Sequence, residues 1–229
     1  LIDMRGLDYN DPKWNDLLDQ LTPSDYQTLI TQSGYGTAAI KSVDKPAATD
    51  RDAATGLVNY GFDASGNFFY KRNIEHCGVI VLAQTYNDDL AYHYGENIGD
   101  ESYYLNVDGW YAPAVNMHRT AFSGRNSEYY SEDPFVSGHI ASLECNGVAS
   151  RGMYVFVKHF AVNDQENHRG DRDGQFSIAT FLNEQAAREI YLEPFEMCIK
   201  TDDVQMNYAK DNGDGTYSNA TTEIPSVTG

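Results

Sequence analysis

The sequence predicts an α/β fold, on three observations. Short apolar, strand-like runs occur at residues 79–83, 110–115 and 153–157. Capped helical patterns follow the first two, and a longer helical pattern lies further along, at 178–200. The two most charge-rich stretches, 116–133 and 158–173, each come directly after a strand. Strand, loop and helix in alternation is the rhythm of parallel βα units. In such folds chemistry collects at the carboxyl ends of the strands. Both polar loops are therefore expected to open on one face.

In chain order, Asp11-Pro12 opens a first helix whose Trp14, Leu17, Leu18 and Leu21 recur at helical spacing, and Thr22-Pro23 ends it. Ser24 is expected to cap a second helix carrying Tyr26, Leu29 and Ile30, closed by Gly34. Residues 35–66, rich in Gly, Ala and Asp, read as loops around short strands. Residues 79–83 read as a buried strand. Asn87 caps a helix through Leu90, Tyr94 and Ile98 that Gly99 is expected to stop. Residues 110–115 form the next strand, and Asp133-Pro134 starts a helix through Ile140, Leu143 and Val148. A strand at 153–157 ends at Lys158-His159. Residues 178–200 read as one long helix that Pro194 kinks. The polar, Gly/Asn/Thr-rich stretch 201–229 reads as a hairpin or an inserted loop.

Composition narrows the function. The 229 residues carry a net charge of -18 with 41 % hydrophobic content. That charge disfavours nucleic acid and anionic membranes and suits a neutral partner such as a sugar. No apolar run reaches the roughly 18 residues of a membrane span. The chain begins at Leu1 without a leader, which implies a removed signal or an internal segment and leaves a cytoplasmic or a secreted location open. The three widely spaced cysteines, Cys77, Cys145 and Cys198, lack metal-binding spacing and are expected to be free, mostly buried thiols.

The most informative stretch is 109–134. Arg125, Glu128, Glu132 and Asp133 lie within nine positions, among Trp110, Tyr111, Tyr129 and Tyr130. Flat rings can cover the apolar faces of a pyranose, and charged groups can bind its hydroxyls. A surface loop with a solvated ion-pair cluster is the competing reading. Lys158-His159 at a strand end offers a compact cation and a planar donor, if both reach a site where the strand breaks into a loop. In the loop that follows, Asp164 and Glu166 are candidates for acid–base work, against a plain solvated loop. Asp52 could accept paired bonds from hydroxyls, against an ion pair involving Arg51. Residues 211–215 mimic a calcium loop, but Lys210 and Thr221 occupy ligand positions that need acids, so a turn is expected. Asn219-Ala220-Thr221 is a glycosylation sequon, meaningful only on a eukaryotic secretory route.

Taken together these segments resemble glycoside hydrolase family 3, in the N-terminal (β/α)8 domain of its β-glucosidase-like branch. The likeness rests on Gly109-Trp110-Tyr111-Ala112-Pro113 with Asn116 and His118-Arg119, and on Gly124-Arg125-Asn126 leading to Glu128-Tyr129-Tyr130-Ser131-Glu132-Asp133-Pro134. It continues through Lys158-His159-Phe160-Ala161 with Asn163-Asp164-Gln165-Glu166, and from Glu184-Gln185 to Pro194-Phe195. It runs from about residue 33 to 200. The resemblance implies a TIM-barrel-like domain, incomplete at its C-terminal end, with 1–32 as a helical lead-in, 33–200 as the barrel domain and 201–229 as its truncated continuation.

The same resemblance implies that Asp52, Arg125, Lys158 and His159 form a cage for the non-reducing-end sugar of a β-linked glucoside, with no cofactor and no metal. It implies that the nucleophile and acid/base of a retaining β-glucosidase lie outside this chain, which alone would be inactive. Further polypeptide or a second copy would cover the open edges. The alternative is a non-catalytic carbohydrate-binding or structural paralogue. Three departures stand out: Asp52-Ala53-Ala54 replaces the family's usual Asp-Gly-Pro, the segment that carries the family's nucleophile is not among these residues, and neither is the acid/base carboxylate. The His-Asp dyad of the N-acetylglucosaminidase branch would need Pro-Gly-His where Ala161-Val162-Asn163 stands.

Overall fold

Side chains that accept from free backbone N–H groups set where several of the helices start. The structure, a computed structural model, describes residues 1–4, 6–58, 60–62, 65–70, 73–167, 169–170 and 178–227. Helix α1 (Lys13–Leu18) follows Asp11, whose carboxylate accepts from the Lys13 N–H at 2.9 Å. Helix α2 (Pro23–Thr31) is capped by Thr22 and not by Ser24. Thr22 and Asp25 exchange bonds in a capping box, with Pro23 favoured in the first turn. The helix ends at Thr31, short of Gly34.

The sheet runs β1 (Gly36–Thr37), β2 (Ala48–Asp52), β5 (Gly109–Tyr111), β6 (Tyr154–Val155); a separate hairpin of β3 (Tyr60–Phe62) and β4 (Phe68–Tyr70) lies between β2 and β5 in the chain. Strand β1 is antiparallel to β2, whereas β2, β5 and β6 are parallel, with Asp52 opposite Tyr111 and Trp110 opposite Val155. A parallel bridge from Ala114 to Lys158 prolongs the β5–β6 pairing towards the loops. This is a (β/α) arrangement with its strand ends pointing one way.

The run 79–83 is not a strand. It forms helix α3 (Val79–Gln84), with Val79, Leu82 and Ala83 buried and Val81 exposed. A short apolar run bears no period that separates a buried strand from a buried helix; tertiary packing decided.

Helix α4 (Asp88–Leu105) starts at Asn87, whose side chain accepts from the Leu90 N–H at 2.9 Å. It runs straight through Gly99. The glycines here permit a close helix crossing with α5 (Pro134–Ser150), itself capped by Asp133. A Cβ on Gly95 would lie 2.1 Å from the Glu144 carbonyl oxygen, and one on Gly147 would lie 2.1 Å from that of Tyr92. Around this crossing Ile98, Ile140, Cys145 and Val148 join Trp110 and Val155 in the core.

The stretch 178–200 is broken where one long helix was expected. Asn183 caps a helical turn, α6 (Glu184–Ala186), through the Ala186 N–H. A π turn at Ala187–Tyr191 follows, and α7 (Glu193–Ile199) restarts with Pro194 in its first turn. Residues 171–177 of the polar loop lie outside the described residues. Strands β7 (Val204–Asp211) and β8 (Tyr217–Ile224) make an antiparallel hairpin, and Asp211 and Asp214 bind backbone N–H groups of its turn. Cys145 and Cys198 are buried, whereas Cys77 is exposed. No described helix is long and apolar enough to cross a membrane.

Candidate functional site

Side chains alternate along a strand, so β2, β5 and β6 present two faces. On the face away from the helical core, the Tyr154 hydroxyl donates to buried Asp50 at 2.5 Å across Gly109. A Cβ at Gly109 would fall 2.4 Å from the Asp50 carboxylate and 2.0 Å from the Tyr154 ring, so only glycine leaves that bond room. One layer nearer the carboxyl ends, Tyr111 stacks on Phe156 with ring centroids 4.7 Å apart. At the edge of this face Asp52 accepts from the Lys158 ammonium.

Above these strand ends lies a cavity of about 820 Å³ whose walls include Asp52, Arg125 and Lys158. Tyr35, Tyr60, Glu75, His76 and Glu128 complete much of the rest. The volume lies within the range of small-molecule sites.

Arg125 is held with unusual completeness. Its Nε and Nη2 donate to the two Glu128 carboxylate oxygens at 2.7 and 2.6 Å, and Nη1 reaches Glu166 at 3.4 Å. The second Nη2 hydrogen points to His159 Nε2 at 2.7 Å. The hydrogen bonds it donates to Glu128 hold the guanidinium protonated even more firmly than usual. Of its five N–H groups one Nη1 hydrogen stays uncommitted. Lys158, with one bond to Asp52, keeps two hydrogens for the cavity, and one Asp52 oxygen is left to accept. His159 is half-buried behind Arg125. Burial, then the Arg125 and Lys158 charges, push its imidazole down to about 4, so it is neutral at ordinary pH.

The two polar loops are zipped together. His118 Nε2 lies 2.8 and 2.9 Å from the Asn126 and Tyr129 carbonyls. The Glu166 N–H donates to the Ser123 carbonyl at 2.8 Å, and Tyr129 donates to the Asn163 carbonyl at 3.1 Å. Asp164 accepts from the Met117 N–H at 2.7 Å, and Glu166 binds Arg169 and Asn163. The two acid–base candidates of this loop therefore brace it. Burial raises the Asp164 carboxyl above its ordinary value.

Other expectations change. Arg51 does not pair with Asp52; its Nη1 donates to the Asp50 carbonyl at 2.9 Å. Trp110, Tyr129 and Tyr130 are 0 %, 0 % and 1 % exposed and cannot cover a ligand ring. The Trp110 indole N–H is shared between the Ala53 and Gly56 carbonyls, at 2.8 and 3.0 Å, and so fixes the turn that aims Asp52. The aromatic walls of the cavity are instead Tyr35 and Tyr60.

Comparison with known proteins points to one family. The model described as the glycosyl hydrolase family 3 N-terminal domain matches residues 26–214. Beta-glucosidase A of Butyrivibrio fibrisolvens is 36 % identical over 165 residues, which are 72 % of this chain and 18 % of that protein. A beta-glucosidase of Rhizobium radiobacter is 30 % identical over 209 residues, 90 % of this chain and 24 % of the relative. The chain thus spans about a quarter or less of the length of these relatives. Among solved structures, beta-glucosidase 3B from Thermotoga neapolitana in complex with glucose superposes with a TM-score of 0.70 and 35 % identity, over 82 % of this chain and 28 % of that one. Beta-glucosidase from Kluyveromyces marxianus in complex with glucose gives 0.72 and 30 %, over 81 % and 21 %.

Proposed function

Because the chain belongs to the glycosyl hydrolase family 3 N-terminal domain family, we propose that it supplies the non-reducing-end sugar site of a retaining β-glucosidase-type hydrolase. The observation that carries this reading is the convergence of Asp52, Arg125 and Lys158 on one cavity at the carboxyl ends of parallel strands, with His159 behind Arg125. The free Asp52 oxygen accepts from one or two ring hydroxyls, and Lys158 and the uncommitted Arg125 N–H donate to others. A carboxylate and two fixed cations facing one cavity hold a hexose in a single orientation and disfavour analogues lacking those hydroxyls, since groups covered by the sugar would be left unpaired.

In this reading the chemistry needs two carboxylates about 5 Å apart, one attacking the anomeric carbon and one protonating the leaving oxygen. Both come from polypeptide outside these 229 residues. The cage contributes orientation, holding the anomeric carbon where those groups reach it. The substrate is a β-linked glucoside or oligosaccharide.

The test is hydrolysis of nitrophenyl β-glucoside by the full polypeptide that carries these residues, with and without Asp52→Ala. Losing one carboxylate with two charged hydrogen bonds is expected to lower kcat/KM by about a hundredfold or more. Glucose should bind to the unaltered protein and protect its fold. Glucose binding without any hydrolysis would favour the non-catalytic paralogue. The division of labour is wrong if the isolated 229 residues release nitrophenol at a rate that Asp52→Ala abolishes.

A further inference from the structure

We propose that Asn116 is a positioning residue for the sugar cage: it fixes the His159 imidazole as the Nδ1–H tautomer, so that Nε2 accepts from Arg125 and the cage keeps two cations, not three. The consequence for sugar binding rests on the function proposed above; the tautomer does not.

The orientation of the Asn116 amide is decided by the backbone it touches. Its Oδ1 accepts from the His159 N–H at 2.8 Å, and its Nδ2 donates to the His159 carbonyl at 3.1 Å. Reversing the amide would set donor against donor and acceptor against acceptor. With the amide oriented this way, the atom 3.2 Å from His159 Nδ1 is an oxygen with no hydrogen, so Nδ1 carries the proton. The opposite edge of the ring gives the same answer independently. Arg125 Nη2 lies 2.7 Å from Nε2, and a guanidinium nitrogen only donates. Nε2 must therefore offer its lone pair.

The charged and titratable groups around the ring are consistent with a neutral imidazole. Arg125, Lys158 and Arg169 oppose a positive charge there, Glu128 favours one, and the Tyr129 ring packs at 6.1 Å. Protonation would place Nε2–H against Nη2–H and expel Arg125 from its position. The Nη1 hydrogen that faces the cavity would move with it. Asn116 is a neutral clamp that satisfies the ring without adding the negative charge that would draw a proton onto it. A carboxylate in its place would do the reverse.

The tautomer is read directly from two-bond proton–nitrogen correlations in the full polypeptide labelled with 15N-histidine, using His159→Gln for assignment. The His159 signals should show protonated Nδ1 and bare Nε2 throughout pH 8 to 5.5. A protonated Nε2, or an imidazolium, at pH 7 overturns the proposal. The function is tested with Asn116→Asp and glucose titration calorimetry. The unaltered protein is expected to change affinity less than twofold between pH 8 and 5.5. The variant should weaken at least tenfold over the same interval, as the imidazolium forms. An equally flat variant overturns the proposal. If no glucose binds at any pH, the sugar reading fails while the nitrogen spectrum still decides the role of Asn116.

Discussion

The two faces of the β2–β5–β6 sheet follow opposite rules although they share every residue of backbone. Towards α4 and α5, Trp110 and Val155 are at 0 % exposure and belong to the apolar core. On the other face, Asp50, Asp52, Tyr154 and Lys158 are linked by hydrogen bonds, and Tyr111 and Phe156 stack between them. A register shift of one residue would exchange the two sets. The apolar face therefore does more than stabilise the fold. It fixes which alternate residues reach the cavity, and Trp110 joins the two roles by anchoring the turn after Asp52.

The largest expected effect tests that division on the apolar side. Trp110→Ala removes a fully buried indole and the donor to Ala53 and Gly56, and should cost about 3–5 kcal/mol in denaturant unfolding. Trp110→Phe keeps most of the burial. If that variant retains stability but loses glucose affinity, the anchoring role is separated from packing.

A second test lies deeper in the core. Glu144 is 0 % exposed, accepts from the Tyr130 hydroxyl, and has its other oxygen unpaired. Burial pushes its carboxyl up to about 8. The folded state therefore holds a proton there that the unfolded chain releases near the ordinary value of 4.5. Between those limits the folded state binds more protons, so stability is present at low pH and lost as pH rises, by up to about 1.4 kcal/mol per pH unit. Glu144→Gln should flatten that slope between pH 5 and 8. An unchanged slope would show that Glu144 is ionised in the fold.

On the polar face, Arg125→Lys keeps the charge but loses the fork that engages Glu128 and His159. Glucose affinity should fall about tenfold, with stability changed by no more than about 1 kcal/mol because the pair is partly solvated. A variant that binds glucose normally would mean that charge alone, not guanidinium geometry, is what the cavity needs.

Which of these features the sequence made visible follows from their range. Caps are local, so Asn87 and Asp133 could be read directly; the strand at 154–155 lies within its expected run, and the one at 109–111 overlaps the start of the run expected at 110–115. Features set by partners far along the chain could not be read. Gly99 looks like a helix terminator because the same residue type serves caps and close crossings, and the crossing partner, Arg151, lies on the other side of a loop and a helix. Trp110 beside a charge-rich loop resembles a sugar platform. Its burial depends on α4, α5 and the Ala53 turn. Glu144 carries no signal beyond one charge within an apolar stretch. Asn116 and His159 are 43 residues apart, so their clamp exists only once the two loops meet.

The smallest prediction concerns Ala53, where the sequence departs from the Asp-Gly-Pro usual in the family. Ala53 adopts φ of 132°, a region that favours glycine. Holding a non-glycine residue there costs about 1–3 kcal/mol. Ala53→Gly relieves that strain but gives the unfolded chain more freedom, which offsets about 0.5–1 kcal/mol. The net gain should be about 1 kcal/mol, visible as a higher unfolding midpoint with an unchanged denaturant slope. The Ala53 N–H bonds the Asp52 carboxylate at 2.9 Å, and its carbonyl takes the Trp110 N–H. Both bonds use backbone atoms that glycine retains, so glucose affinity should stay within twofold. A stabilised variant that binds glucose much more weakly would mean that the strained turn itself, held against the apolar face by Trp110, is what aims Asp52 into the cavity.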